Sequence, residues 1–441
     1  FSALVEAIYR YADPAVFYVL FALSVGIYGV ILVKIARKID PRQMEPATGA
    51  IFIGLFFAAN CHYLLGGMDG GIAGQYLLGD YFQPCVMGIM LLVGIYFFLE
   101  DRLIWAAVSM TAAAVSHPFY VPVSLLLLVV FSIESLRRRG SLKAVIFSFA
   151  IFAASVVPLG MRYKAAFPPT SSGLWQQSIY ILSVLRIPHH TQVAVFFNHQ
   201  TIIKLAVMTA ALWWARKTRL VWVMAALLAP IVFFIPYLYF FPDVNLSYTS
   251  PWRTSVILFP LSMTFLLTRL SIWLGDKVNG KAISPEKVKM ALTGLISLAV
   301  VLGITDHVMR YLAYHHSPES PVIEYAKDHA EKGVTYLVPP KKHRFQSFRL
   351  DTGLPVFATW KTHPFKDTEV IEWYARTQKA DEFYRKINDP DICRFIAELA
   401  RDYGITHAVA VEPQMIDKCQ GIKSLYSDTV YRVVQFPEQN K

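Results

Sequence analysis

The chain has 441 residues, 55% of them hydrophobic, 14% aromatic and only 17% charged, with a mean hydropathy of +0.41. A soluble domain carries about a quarter charged residues, so this deficit excludes disordered, collagen-like and disulfide-scaffold classes and points to lipid as solvent. The formal charge is +11, yet residues 1–305 hold 23 basic and 12 acidic side chains while residues 306–441 hold 19 of each. The whole excess lies in the apolar part.

Phe1, Leu4, Val5, Ile8 and Tyr9 recur at a helical period around Glu6, Arg10 and Asp13, which predicts an interfacial amphipathic helix. No initiator Met or signal-peptide pattern precedes it, so upstream sequence is expected to be missing. Apolar runs follow at about 14–34, 47–65, 84–99, 103–116, 119–133, 143–160, 201–215, 220–240, 254–270 and 288–305. A span needs roughly 20 apolar residues, and runs that do not alternate cannot close a barrel, so about ten transmembrane helices are expected.

The loops set the orientation. One alternate set carries 17 basic residues, among them Lys34, Arg37, Lys38, Arg102, Arg137, Arg138, Arg139, Arg216, Lys217, Arg219 and Arg269. The other set has 6: Arg10, Arg162, Lys164, Arg186, Lys204 and Arg253. The positive-inside rule then places both chain ends away from the cytoplasm, and the +11 reads as an orientation signal rather than a nucleic-acid footprint. Runs 103–116 and 119–133 reach only about 22 Å at 1.5 Å per residue, short of a roughly 30 Å hydrocarbon core. Their apex, Ser116-His117-Pro118-Phe119-Tyr120, should sit below the outer surface and line a recessed cavity. A histidine that merely caps a helix end beside a proline is the plainer reading.

In the outer loops, Asn60-Cys61-His62-Tyr63 leads into a Gly-rich turn, Gly66 to Gly74, and then Gly79 to Pro84. Glycines allow close backbone approach to a phosphate, but no Lys-Ser/Thr follows, so a flexible connector is the plainer reading. Asp69 and Asp80 are candidates for a base or for divalent-cation ligands. In the loop 161–200, Trp175, Ile179 and Leu182 read as one face of a second interfacial helix, with Arg162, Lys164, Arg186, His189, His190 and His199 around it. Adjacent His189 and His190 make a poor metal pair. Arg253 stands at the mouth of the ninth run, where a guanidinium can fork onto a phosphate or snorkel to the interface. The span centres are nearly free of ionisable residues, and no inverted repeat is present, which counts against a secondary transporter.

Residues 306–441 read as a small extracytoplasmic α/β domain. Ser320 and Pro321 start a helix ending at Gly333, Val334–Val338 is a strand, and Asp367–Tyr384 a second helix. Asp389 opens a third helix that Gly404 stops, followed by strands at His407–Val411 and Thr429–Val434. Trp360, Lys361, His363 and Lys366 cluster in what reads as an exposed loop. Outside the cytoplasm Cys393 and Cys419 can pair as a disulfide.

Together these features resemble the GT-C superfamily of polytopic membrane glycosyltransferases. The likeness rests on the amphipathic helix before a span ending in Lys34-Ile35-Ala36-Arg37-Lys38, and on the Gly-rich loop before Tyr81-Phe82-Gln83-Pro84. Ser116-His117-Pro118 at a short-helix apex, outer Arg253 and the α/β tail complete it. Phe348 to Tyr384, with Trp360-Lys361-Thr362-His363-Pro364 and Glu372-Trp373-Tyr374, resembles an uncharacterised tail domain of bacterial members. The resemblance implies a bacterial cytoplasmic-membrane protein that transfers a sugar from a polyprenyl-phosphate donor on the outer face. Arg253 would hold the donor phosphate, and His117 or Arg162 would line the cavity. The family's catalytic carboxylate follows its first span, which would precede Phe1, so no base is assigned. A non-catalytic subunit of a larger membrane complex, built on the same fold, is the alternative.

Overall fold

The structure, a computed structural model, describes residues 2–12, 16–60, 68–79, 82–280, 284–411 and 416–437. The chain forms two compact units: residues 1–166 with 187–303, and residues 167–186 with 304–441. In chain order the longer helices are α1 (Ser2–Tyr11), α2 (Val16–Ile39), α3 (Pro46–Asn60), α4 (Ile89–Leu99), α5 (Leu103–Ser116), α6 (Tyr120–Arg137) and α7 (Leu142–Ala166). They continue with α8 (Ser172–Tyr180), α9 (His199–Ala215), α10 (Leu220–Phe240), α11 (Ser255–Asn279), α12 (Pro285–His315), α13 (Ser320–Asp328), α14 (Asp367–Lys386) and α15 (Ile392–Tyr403).

Six helical stretches among the described residues are long and apolar enough to cross a membrane: α2, α6, α7, α10, the stretch Val244–Asn279 that contains α11, and α12. The protein is therefore read as a multi-pass membrane protein. The other runs expected to span form α3, α4, α5 and α9, of 15, 11, 14 and 17 residues. Conversely, α6 is longer than its apolar run because Glu134 is buried and reaches Arg137 at 3.7 Å, so the helix continues through both charges.

In the first unit α11 is the most enclosed stretch, packed against α2, α3, α9 and α10, while α5 sits among α4, α6 and α7. Phe98 and Phe131 stack at 4.3 Å between α4 and α6. Ion pairs gather the basic loops at one end of the unit: Lys38 with Glu100, Arg219 with Asp101 at 2.8 Å, and Arg42 with Asp276 at 3.5 Å. Because α5 starts at this end, its terminus at His117 lies at the other.

The second unit starts at residue 304, inside α12, and takes in residues 167–186, which the sequence suggested as a loop of the membrane part. The reason is polar pairing. The Thr170 N–H and hydroxyl donate to Asp367 at 2.7 and 2.9 Å, and Arg186 donates to the carbonyls of Trp360 (3.3 Å) and Lys361 (3.1 Å). Ser171 caps α8 by accepting from the Leu174 N–H at 3.2 Å. Ile179 and Leu182, expected on an interfacial face, are buried, and the helix packs on α14 instead.

A four-stranded sheet runs in the order β1 (Tyr336–Leu337), β2 (His407–Val411), β4 (Tyr431–Gln435), β3 (Lys423–Ser427). β1 lies parallel to β2, and the other pairs are antiparallel. Gly404, at φ +65°, ends α15 in the left-handed region before β2, as its sequence position suggested. Cys393 and Cys419 form a disulfide with a Cα–Cα distance of 5.2 Å, bracketing β2 across 26 residues. Replacing both by serine should destabilise the second unit by about 3–4 kcal/mol, the chain-entropy expectation for a loop of that length. Denaturant unfolding of the full chain in detergent, with Cys85 unchanged, checks the value.

Candidate anion site

The site grows from a strained turn. Ser250 occupies the left-handed region at φ +50°, which redirects the chain into the short turn Pro251–Thr254. There Trp252 is wholly buried: its ring lies 4.6 Å from Phe196, and its indole N–H donates to the His190 carbonyl at 2.9 Å. This anchor holds the neighbouring Arg253, whose guanidinium lies 4.1 Å over the Phe119 ring. Among the described residues no carboxylate pairs with Arg253.

Phe119 belongs to the apex between α5 and α6. His117 leaves the helix in extended backbone, and the Tyr120 N–H closes the turn on its carbonyl at 2.9 Å. The Phe119 N–H donates to His117 Nδ1 at 3.3 Å, which assigns the imidazole proton to Nε2. Burial first, and the nearby Arg253 charge second, push this imidazole down to about 4. It is therefore a neutral hydrogen-bond donor at neutral pH. The Tyr120 hydroxyl donates to the Cys85 carbonyl at 2.7 Å, tying the apex to the start of the third apolar run.

The third wall is the turn Met68–Gly79, which is packed rather than a loose connector: Met68, Ile72, Ala73, Gln75 and Leu77 are buried. Its backbone groups are bonded by side chains from elsewhere. Ser255 accepts from the Ile72 N–H at 2.8 Å, Lys204 donates to the Gly71 carbonyl at 2.6 Å, and His190 Nδ1 meets the Ala73 carbonyl at 2.6 Å. Arg253, His117, Tyr120, Cys85, His190 and Gln75 thus line one recess of about 170 Å³.

The structure brings Arg253 and His117 together and separates the other candidates. Arg162 does not line the recess; α7 runs on unbroken to Ala166 and leaves it exposed near the helix end. Asp69 is not among the lining residues and accepts weakly from the Gly79 N–H at 3.4 Å, and Asp80 lies outside the described residues. Among the described residues no three His, Cys, Asp or Glu side chains are grouped as metal ligands, so a divalent cation receives no ligand set here. Within the single turn Pro188–Thr191 the His189 and His190 rings are 4.1 Å apart. Tyr120 lines the recess with the rest of the expected apex, whereas His190 and Cys85 are lining residues that sequence reasoning missed, because long-range backbone contacts place them. In the tail, the Trp360 ring lies 5.6 Å from Trp373 and half-buried His363 lies 6.2 Å from it, so that cluster is partly packed.

Residues 317–380 match a family described as a domain of unknown function, DUF6798. No curated protein matches the chain.

Two outcomes follow. A Cβ on Gly71 would lie 2.5 Å from Ser255 Oγ and 2.9 Å from the Val256 nitrogen. Gly71→Ala should therefore lower stability by about 1–3 kcal/mol, read as a fall in the thermal midpoint in detergent. For His117 the folded value is below the unfolded one, so its contribution is complete above about pH 6.5 and is lost as pH falls towards 4. His117→Gln should remove about 2–3 kcal/mol of that pH dependence from melts taken between pH 4 and 7.

Proposed function

We propose that the protein is a membrane glycosyltransferase of the GT-C type, with the recess receiving the phosphate of a polyprenyl-phosphate sugar on the outer face of a bacterial cytoplasmic membrane. The observation that carries the reading is that Arg253 and His117 line one recess, with His117 Nδ1 accepting from the Phe119 N–H and its proton thereby assigned to Nε2. Sugar transfer from a lipid phosphate needs a cation and hydrogen-bond donors on the departing phosphate, together with a base for the acceptor hydroxyl. The recess supplies the first two. Its opposition to the ion-paired end agrees with the outer placement expected from loop charge. The ten-span count and the extracytoplasmic α/β tail remain part of this reading.

The second reading is a non-catalytic subunit of a larger membrane complex; that no carboxylate among the described residues lines the recess is compatible with both. Purified protein in liposomes separates the two. On the first reading it turns over a short-chain polyprenyl-phosphate sugar, and on the second it binds without turnover. On either, Arg253→Ala should weaken binding of that lipid by about 10–100-fold, the worth of a charge-assisted hydrogen-bond pair. Arg253→Lys, which keeps the charge and loses the fork, should lie between. Unchanged affinity in Arg253→Ala would remove the phosphate role.

A further inference from the structure

In the second unit the exposed large apolar side chains are unevenly placed. Trp175, Tyr180 and Leu185 lie on the segment that leaves α7, and Ile304, Val308, Met309, Tyr311, Leu312 and Tyr314 lie on the last turns of α12. From residue 316 onwards, among the described residues, only Leu350 (68% exposed), Phe365 (56%) and Leu425 (40%) remain. A folded domain that tumbles in water scatters such residues without pattern. Here the two most exposed are both fastened to the ends of helices long and apolar enough to cross a membrane.

The fastening is direct. Phe365 packs on Phe167 with ring centroids 5.7 Å apart, and Phe167 is the residue after the last of α7, within about 4 Å of it along the chain. The bonds from Thr170 to Asp367 hold the same junction. Leu350 precedes Asp351, which accepts from the Tyr314 hydroxyl at 3.1 Å, and Tyr314 is one residue short of the end of α12. Arg344 lies 3.9 Å over the Tyr314 ring and closes that junction. Each apolar residue has a cation next to it in sequence, exposed Arg349 beside Leu350 and partly exposed Lys366 beside Phe365.

We propose that the second unit rests on the bilayer surface through Leu350 and Phe365, which enter the headgroup–acyl boundary while Arg349 and Lys366 meet anionic headgroups. Aromatic and aliphatic residues with adjacent cations are the composition such a boundary selects. The occupant is lipid. The inference rests on α7 and α12 crossing a bilayer and is independent of any glycosyltransferase activity.

The test places the photoreactive residue p-benzoylphenylalanine at 350, 365, 425 or 301 in the full chain, reconstituted in phosphatidylethanolamine–phosphatidylglycerol vesicles. All four positions are exposed, and an intact Cys393–Cys419 bond reports folding. After irradiation, mass spectrometry should find lipid adducts at 350 and 365 and none above background at 425. Position 301, on α12, is the positive control for the span itself. Adducts at 301 with none at 350 and 365, or cross-links from those two to a second copy or another protein, would overturn the proposal. Loss of the adduct at 301 would overturn the span it rests on.

Discussion

A peptide group that cannot reach water must find its partner inside the protein, and the first unit is organised around one place where that is difficult. The turn Met68–Gly79 is buried yet has neither a helix nor a ladder to satisfy it, apart from a single bridge between Gly70 and Tyr76. It closes on itself through the Gly71, Gln75 and Leu77 N–H groups, which donate to the Gln75, Ile72 and Asp69 carbonyls, and further groups are bonded by Ser255 from α11, Lys204 from α9 and His190 from the connecting turn. Gly71 is required because the backbone of α11 comes too close for a side chain. Those same side chains draw three distant parts of the chain onto one surface, and the recess is the gap they leave.

The positive charges of this unit do two different jobs. At one end Lys38, Arg42 and Arg219 have carboxylate partners and join helix termini. Such exposed pairs contribute little to stability, about 0–1 kcal/mol each, but they fix which helix ends meet. At the other end Arg253 is set against an aromatic face, with no described carboxylate to compensate it. Cation–π contact offsets part of the desolvation, roughly 0.5–2 kcal/mol, and leaves the guanidinium able to take an anion.

Much of the helical layout was legible, because apolar runs must be helical in lipid and each expected run contains a helix. Length was less so. α6 outgrows its apolar run through the buried Glu134, and a buried charge is visible only once its neighbours are known. In the tail, His407–Val411 could be read because all of its residues are apolar or buried, whereas β3 (Lys423–Ser427) was missed because its residues face mostly outward and show no core pattern. The helix from Ser320 is shorter than its sequence pattern suggests: it stops at Asp328, and Gly333, at φ +85°, follows in a separate turn. Of the recess, Arg253 and His117 could be named from composition contrast alone, a charge and an imidazole at the mouths of apolar runs. His190 could not. It enters through the Ala73 carbonyl, a contact across 117 residues that no spacing encodes.

Among the described residues Arg253 has no carboxylate partner, and this bears on both functional readings. Drawing a guanidinium partly out of water carries a desolvation cost, which the Phe119 face offsets only in part. Ionisable groups in such positions mark ligand paths. The neighbours sharpen this: His117 is held neutral with its donor nitrogen unspent by the backbone, and the Tyr120 hydroxyl is committed to the Cys85 carbonyl. Arg253 and His117 together offer a fixed positive charge and a hydrogen-bond donor, which suits an oxyanion. A phosphodiester that joins a lipid to a sugar is such an anion. On the proposed reading the recess holds the lipid phosphate whether or not a base completes it, so affinity for that phosphate and turnover are properties that can be separated.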